Sequence, residues 1–320
     1  MNYHLNSIKG IACLGVVLIH IKFPGIVGEI FWVLGQFAVP LFFMISGYYM
    51  PDRQNEYADI KMKKKIGHIG KITIWSILIY TLYFYVRGGG QVEWNSKIFF
   101  KIIILQDFDF LGAGHLWFLP ALLYIYILYY ASLKLSLKQK NRIYFFIPLL
   151  FLLRIIVPAF SGYNWHWRGN FLITGVPYFL VGKFFAEYKT IFSKLTVKIL
   201  YTALYIGFIF AVFQVFISCK INIFDLGIFL SSTAVFLLAQ KTPDNFICFF
   251  EKLGQKYSLY IYVTHILIAD LVDKASFFFG IQDLKFYLWS RPICVIFITI
   301  ISGLIFDYIR NIIISMLQKI

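Results

Sequence analysis

The chain has 320 residues, of which 60% are apolar and only 14% are charged, and its mean hydropathy is +0.75. These values exclude an ordinary soluble domain, and apolar runs of roughly 20 residues recur along the chain, as expected for a polytopic helical membrane protein. The formal net charge of +15 would suggest a nucleic-acid partner in a soluble protein. In a membrane protein, Lys and Arg in cytoplasmic loops explain it, so no nucleic-acid partner is expected.

Ten apolar segments can be drawn in chain order as candidate membrane spans. They cover residues 6–22, 29–50, 72–86, 116–133, 143–157, 171–187, 195–217, 224–240, 257–273 and 288–315. The connecting loops are short, which predicts an all-α polytopic membrane protein of about ten transmembrane helices in one bundle. We expect residues 1–320 to form a single transmembrane domain with no separate soluble domain. The apolar start lacks a small-residue cleavage site, so a removable signal peptide is not expected.

The distribution of basic residues sets the expected orientation. If the N-terminus is cytoplasmic, two thirds of the 30 Lys and Arg residues fall at cytoplasmic ends of the ten segments. This bias predicts that both termini are cytoplasmic. The heavy use of Lys, Ile, Phe and Tyr suits an AT-rich bacterial genome, so the expected location is the cytoplasmic (inner) membrane of a bacterium.

The first segment carries two ionisable residues, Lys9 near its start and His20 near its end. They are 11 positions apart, which is about 16 Å along a helix. That distance covers roughly half the hydrocarbon thickness of a bilayer. An ionisable side chain held at membrane depth is costly, so this pair is the first functional-site hypothesis.

Three polar stretches between the segments offer further candidates. Residues 61–71, K-M-K-K-K-I-G-H-I-G-K, are predicted to be a basic cytoplasmic loop that could grip a polyanionic donor, although orientation and attraction to anionic lipid explain the same charges. The outward loop 87–115 contains an apolar patch, residues 98–105, that is too short to cross and indicates a re-entrant or interfacial piece. The aromatic outward loop 161–169 suits stacking on sugars or an interfacial belt.

Histidine is the residue type left for chemistry, because the chain lacks the sequence signatures of serine-hydrolase elbows, phosphate-binding loops, dinucleotide folds and zinc proteases. Three of its six histidines fall at or near the expected outward face. A near-neutral imidazole can accept a proton from an alcohol, as acyl or phosphoryl transfer requires, but a structural hydrogen-bonded histidine is the alternative at each position. The candidate orienting carboxylates on that side are Glu29, Asp107, Asp109, Asp270 and Asp273.

The four cysteines, Cys13, Cys219, Cys248 and Cys294, show no metal or redox spacing. We interpret them as packing residues and expect no metal site.

Five stretches, in order along the chain, resemble the membrane-bound acyltransferase-3 family. They are N-S-I-K-G-I-A through His20 at 6–20, V-P-L-F-F-M-I-S-G-Y at 39–48, H-L-W-F-L at 115–119, P-Y-F-L-V-G at 177–182 and Y-S-L-Y-I-Y-V-T-H at 257–265. The chain departs from the family pattern at Asn6, where the family has Asp, and at Lys9, where it has Arg. The family's R-x-x-R falls on Lys65 and His68. Lys keeps the charge of Arg but not its bidentate fork.

The resemblance implies transfer of an acyl group from cytoplasmic acyl-CoA to a hydroxyl of a cell-surface or lipid-linked glycan such as O-antigen, capsule or exopolysaccharide. The family favours acetyl, with succinyl or another short acyl group as the alternative. His20 would be catalytic, as general base or transient acyl carrier. The implied donor-binding residues are Lys9, Lys64, Lys65, His68 and Lys71. The implied acceptor-binding or supporting residues are Ser46, His115, Trp117, Arg154, His166 and His265.

The implied partners are therefore the lipid bilayer, acyl-CoA as co-substrate and a carbohydrate acceptor, with no permanently bound cofactor. No feature of the sequence specifies an oligomeric state. A membrane transporter or polysaccharide-export component without covalent chemistry would share the polar bundle interior. That alternative predicts that His20→Ala reduces glycan export and leaves glycan acylation unchanged.

Overall fold

The computed structural model describes residues 3–51, 56–90, 92, 94–160, 169–216, 223–241 and 248–317. Within these ranges every regular element is a helix and no strand occurs, which confirms the all-α class for the described part of the chain. Five helical stretches are long and apolar enough to cross a membrane. They are Gly25–Tyr48, Glu56–Val86, Gly114–Ser132, Val197–Phe216 and Lys285–Leu317. The chain is thus a multi-pass membrane protein, whereas the count of ten spans and the orientation stay predictions.

The helices in the first half of the chain are α1 (Tyr3–His20), α2 (Gly25–Gly35), α3 (Ala38–Tyr48), α4 (Glu56–Val86), α5 (Ser96–Phe100), α6 (Phe118–Ser132), α7 (Leu137–Ile143) and α8 (Phe146–Phe160). Those in the second half are α9 (Val176–Glu187), α10 (Lys189–Phe192), α11 (Val197–Phe216), α12 (Phe224–Ala239), α13 (Cys248–Lys252), α14 (Ser258–Phe278) and α15 (Lys285–Leu317). Each of the ten predicted apolar segments overlaps at least one of these helices.

The chain divides into two compact units, and the division falls within α3. The first unit combines Met1–Leu41 with Thr196–Ile320, and the second is Phe42–Leu195. The first unit therefore holds His20 and Lys9, and the second holds the basic stretch 61–71.

The basic stretch 61–71 is helical, so its prediction as a loop was wrong. It is part of α4, which begins at Glu56 and continues without a break to Val86. The segment contains no proline, its Lys, Met and Ile residues are compatible with a helix, and Glu56 and Asp59 lie in the first turn, where negative charge is favoured. A hydropathy pattern detects only the apolar part of such a helix, which explains why the predicted segment began at residue 72.

Close backbone contact joins α1 to α13 and to the turn between α13 and α14 in the first unit. A Cβ atom added at Gly10 would lie 2.2 Å from the carbonyl oxygen of Phe250, and one added at Gly254 would lie 1.9 Å from that of Asn6. Only glycine fits at such distances, as is common where helices in membranes approach closely. The contact fixes the helix that carries Lys9 and His20.

A similar contact joins α3 and α9 in the second unit. Cβ atoms added at Gly47 and Gly182 would lie 2.0 Å from the Phe179 oxygen and 1.9 Å from the Met44 oxygen. The α9 helix follows a π-helical turn, Phe171–Gly175, whose backbone N–H groups at residues 172 and 173 donate to the Asn170 side chain at 3.0 Å. Such side-chain capping satisfies donors that the start of a helix leaves without partners.

The apolar patch 98–105 in the long loop forms α5 and a π-helical turn, Lys101–Leu105. Gln106 then takes a left-handed backbone conformation, with φ of 51°. Its side-chain nitrogen donates to the carbonyl of Ile104 at 2.9 Å, and its side-chain oxygen accepts from the Phe171 N–H at 2.9 Å. The buried Gln106 therefore ties this loop to the turn that starts α9.

Candidate functional site

The first unit brings two predicted histidines together. His20 is the last residue of α1 and its side chain is exposed, whereas His265 on α14 is 0% exposed. The centroids of the two imidazole rings are 5.3 Å apart and the ring planes are tilted by 45°. The α1 helix ends at His20 because Pro24 and Gly25, which has a positive φ, follow within five residues. His20 is thus an accessible imidazole backed by a buried one.

The His265 ring is held by its own helix. Its Nδ1 atom lies 3.0 Å from the carbonyl oxygen of Ile261, one turn earlier in α14. A carbonyl oxygen can only accept, so Nδ1 carries the proton. In the neutral ring the Nε2 atom then carries the lone pair.

Four of the five candidate carboxylates pair with cations. Glu29 lies 2.9 Å from Lys22 and Asp107 lies 3.7 Å from Lys101, while Asp270 and Asp273 lie 3.3 Å and 2.6 Å from Lys274 and Arg291. The fifth, Asp109, has its backbone N–H bonded to the Asp107 carboxylate at 2.8 Å. Among the described residues, no group of three or more His, Cys, Asp or Glu side chains could hold a metal ion.

One candidate carboxylate, Glu29, belongs to a polar and aromatic cluster that follows His20 directly and that the sequence did not indicate as a unit. The Lys22 ammonium donates to both Glu29 carboxylate oxygens, at 2.9 and 3.0 Å, and lies 4.9 Å from the centroid of the Trp32 ring. The Trp32 ring in turn stacks on Phe224 at 5.6 Å. The only signal in the sequence was the opposite charges of Lys22 and Glu29 on either side of Pro24 and Gly25. This signal is weak because such charge pairs are frequent.

Lys9 lies half-buried near the start of α1. Four residues further on, Cys13 is buried, as expected for a packing residue. Lys9 and His20 occupy the same helix, about 16 Å apart along its axis as their spacing requires.

The other four predicted donor-binding residues lie together on α4 in the second unit. They line an open cavity of about 820 Å³ whose lining residues are Lys61, Lys63, Lys64, Lys65, Gly67, His68 and Lys71. Residues 61, 64, 68 and 71 are three or four positions apart, which places them on one face of the helix. Lys64, His68 and Lys71 are exposed. The helix therefore presents a row of cations that could bind a polyanion.

Lys65 contacts a residue that no sequence pattern indicated, Tyr126 on α6. The Lys65 ammonium lies 5.4 Å from the centroid of the Tyr126 ring. Tyr126 is buried, so its ring joins α4 and α6, whereas Ser46 lies half-buried on α3. Tyr126 lies in a run of similar Tyr and Ile residues, none of which stands out in the sequence.

Each of the remaining described candidates of the second unit, His115, Trp117 and Arg154, contacts an aromatic ring. His115 is buried with its ring edge-on to Tyr80 at 5.2 Å, and Trp117 lies 6.1 Å from Phe43.

Arg154 is buried on α8, bonded to the Thr174 hydroxyl, and lies 5.5 Å from the Tyr178 ring. The predicted site residue His166 lies outside the described residues.

Comparison with known families gives one match, to a family described as an acyltransferase domain, over residues 2–308. The match spans nearly the whole chain and both compact units. Comparison with curated proteins and with solved structures finds no match for the chain.

Proposed function

The chain belongs to the acyltransferase-3 family of membrane acyltransferases, and we propose that it moves a short acyl group from acyl-CoA to a hydroxyl of a cell-surface or lipid-linked glycan. The observation that carries the proposal is the exposed His20 imidazole at the end of α1, backed by the buried His265 ring. An accessible imidazole with a lone pair is the group that alcohol acylation needs.

Two routes are open to His20. As a general base, its lone pair takes the proton of the glycan hydroxyl while the oxygen attacks the thioester carbonyl, the C–S bond breaks, and the CoA thiolate leaves and takes up a proton. As a carrier, an imidazole nitrogen attacks the thioester, the C–S bond breaks, and the ring N–H proton passes to the CoA thiolate, which leaves as a thiol. The glycan hydroxyl oxygen then attacks the acyl carbon, the C–N bond to the imidazole breaks, and the hydroxyl proton returns to the ring. Both give a glycan ester and free CoA.

Donor binding is assigned to the cationic face of α4. Lys64, Lys65, His68 and Lys71 line one cavity, and ammonium groups bind phosphates as point charges. The phosphates and diphosphate of CoA supply the matching negative charges. Lys9, half-buried on α1, is the donor-side cation of the first unit.

Acceptor-binding or supporting roles remain proposed for Ser46, His115, Trp117, Arg154, His166 and His265. Trp117 is partly exposed, so its ring offers a face on which the apolar side of a sugar can pack. The buried guanidinium of Arg154 and the hydroxyl of Ser46 are donors that can orient neighbouring groups.

Transfer of label from radioactive acetyl-CoA in isolated membranes tests the proposal. Wild-type membranes should move label into surface polysaccharide as a base-labile ester, and His20→Ala membranes should not. His4→Ala is the matched control, because it removes a histidine from the other end of the same helix, and it should retain transfer. Absence of labelled polysaccharide in the wild type, together with a loss of export in His20→Ala, would favour the transporter alternative.

A further inference from the structure

We propose that His265 is a positioning residue for His20: it fixes the tautomer and the ring plane of the reactive imidazole, a task that a carboxylate performs in many histidine sites. The inference rests on the proposed function for its catalytic consequence. Its structural part, the state of the two rings, can be measured without any substrate.

The first support is that His265 is itself immobilised. It is 0% exposed, and its Nδ1–H donates to the Ile261 carbonyl at 3.0 Å. Burial and this bond together leave a neutral ring one favoured tautomer, because reversing it would place the lone pairs of Nδ1 and of the carbonyl oxygen against each other. The Tyr262 ring lies 6.3 Å from the His265 ring and packs against it.

The second support is direct contact with His20. The two ring centroids are 5.3 Å apart and the planes are tilted by 45°. An imidazole with a fixed tautomer has a fixed dipole direction, and the low dielectric around a buried ring strengthens its effect on a neighbour. His265 therefore favours one arrangement of the N–H and the lone pair in His20.

The third support is the occupation of the candidate carboxylates. Glu29 bonds to Lys22 through both oxygens, and Asp270 and Asp273 pair with Lys274 and Arg291. Each of these acidic groups makes an ion pair with a cation. The ring that the structure places against His20 is the His265 imidazole.

A purely packing role for His265 predicts a different outcome on substitution. His265→Phe keeps a ring of similar size against His20 but removes both the N–H and the lone pair. If only ring bulk matters, His20 should behave in His265→Phe as it does in the wild type. If the dipole and the tautomer of His265 matter, the His20 ring in His265→Phe should lose its preference for one tautomer.

Solid-state NMR of the full chain with ¹⁵N-labelled histidine in lipid bilayers provides the direct test. The His20 and His265 signals are assigned by their loss in His20→Gln and His265→Phe. We expect one tautomer for each ring in the wild type, with His265 protonated at Nδ1, and a mixture of His20 tautomers in His265→Phe. Mixed tautomers in the wild type, or an unchanged single His20 tautomer in His265→Phe, would overturn the proposal.

A second variant covers the case in which His265→Phe does not fold. His265→Gln keeps a donor and an acceptor in a flexible side chain. It should therefore retain part of the preference of His20 for one tautomer. If it leaves His20 as mixed as an apolar His265→Leu does, the polar groups have no role and the proposal fails.

The catalytic readout uses acetyl-CoA as the donor probe with the cell's own polysaccharide. His265→Phe should lower kcat by about 10- to 100-fold, by analogy with the loss of partners that orient histidines in metal sites, with little change in the KM for acetyl-CoA. An unchanged kcat in an active enzyme would refute positioning and leave the proposed function intact. A wild-type protein that shows ordered histidines but transfers no acetyl group would refute the function instead.

Discussion

At the scale of single residues, Asp273 shows how ionic groups are accommodated between two helices of the first unit. Arg291 on α15 donates to both carboxylate oxygens of Asp273 on α14, each at 2.6 Å, and the Tyr287 hydroxyl donates to one of them at 2.6 Å. The bidentate geometry is the strongest that an ion pair takes in proteins. It satisfies two charges that would otherwise be costly beside an apolar helix.

The coupling between Asp273 and Arg291 should be measurable by a double-mutant cycle with Asp273→Asn and Arg291→Gln. We expect a coupling free energy of about 1 kcal/mol, since both side chains are partly exposed and polar interactions between membrane helices are modest. The measurement is reversible unfolding in mixed micelles.

The control cycle uses Asp270 and Lys274, an ion pair of 3.3 Å one turn apart on α14. Its coupling should be about 0.5 kcal/mol or less. A control value equal to or above that of the Asp273 pair would show that bidentate geometry adds nothing here.

The sequence indicated candidate residues with a local signal, but it did not indicate contacts between residues that are distant along the chain. His20 was singled out because an ionisable residue in an apolar segment is visible locally. An orienting carboxylate for His20 stays a prediction. The ring that lies beside His20 belongs to His265, which is far away in the sequence, so the local pattern around His20 did not indicate it. The contact between Lys65 and Tyr126 was also invisible in the sequence, because it depends on how α4 and α6 pack.

At the scale of helices, hydropathy predicted the positions of the apolar segments well, because that signal is local. It failed at α4, where the charged half of a continuous helix was interpreted as a loop. The helix fixes the spacing of Lys64, His68 and Lys71 on one face, which a flexible loop does not. This fixed spacing favours binding of a polyanionic donor.

Neutralising that face should weaken donor binding. For the double variant Lys64→Gln with Lys71→Gln, we expect the KM for acetyl-CoA to rise up to about 25-fold, since each exposed charge pair contributes up to about 1 kcal/mol, or about fivefold. The kcat should change little, and the defect should shrink at high salt because exposed charges are screened.

Lys189→Gln is the matched control, an exposed lysine on α10 outside the cavity, and its kinetics should match those of the wild type. An equal rise in KM for Lys189→Gln would attribute the effect to overall charge instead of the α4 face.

The glycine contact between α3 and α9 carries a prediction on stability. Gly182→Ala places a Cβ atom 1.9 Å from the Met44 carbonyl oxygen, so the helices must separate. We expect a loss of about 1–3 kcal/mol in the free energy of unfolding, as for other overpacked positions.

Gly70→Ala is the control, because its Cβ atom would meet only the Leu123 side chain at 3.9 Å. It should leave stability unchanged or raise it by up to about 1 kcal/mol through helix propensity. Thermal unfolding in detergent distinguishes the two variants, and equal midpoints would contradict the close-contact account.

At the scale of the whole molecule, the distribution of basic residues predicts the orientation. The exposed Asp283 between α14 and α15 should face outward, and the exposed Ser193 between α10 and α11 should face the cytoplasm. In a cysteine-free background, Asp283→Cys should react with a membrane-impermeant thiol reagent in intact cells. Ser193→Cys should react only after permeabilisation, and the reverse pattern would invert the topology.

Membership of the acyltransferase-3 family rests on motifs spread over the whole chain, so the amino-acid sequence alone is enough to indicate it. The motifs identify His20 as a candidate because they preserve local spacing. They do not reveal the donor, the acyl group or the acceptor, which depend on the shapes of surfaces built from distant residues.

The central claim, that this protein esterifies a surface glycan through His20, is tested most directly by mass spectrometry of that glycan before and after mild base. Wild-type cells and His4→Ala cells should show a base-labile mass increment, and His20→Ala cells should lack it while exporting a normal amount of glycan. An unchanged increment in His20→Ala, or reduced export with intact esters, would contradict the account.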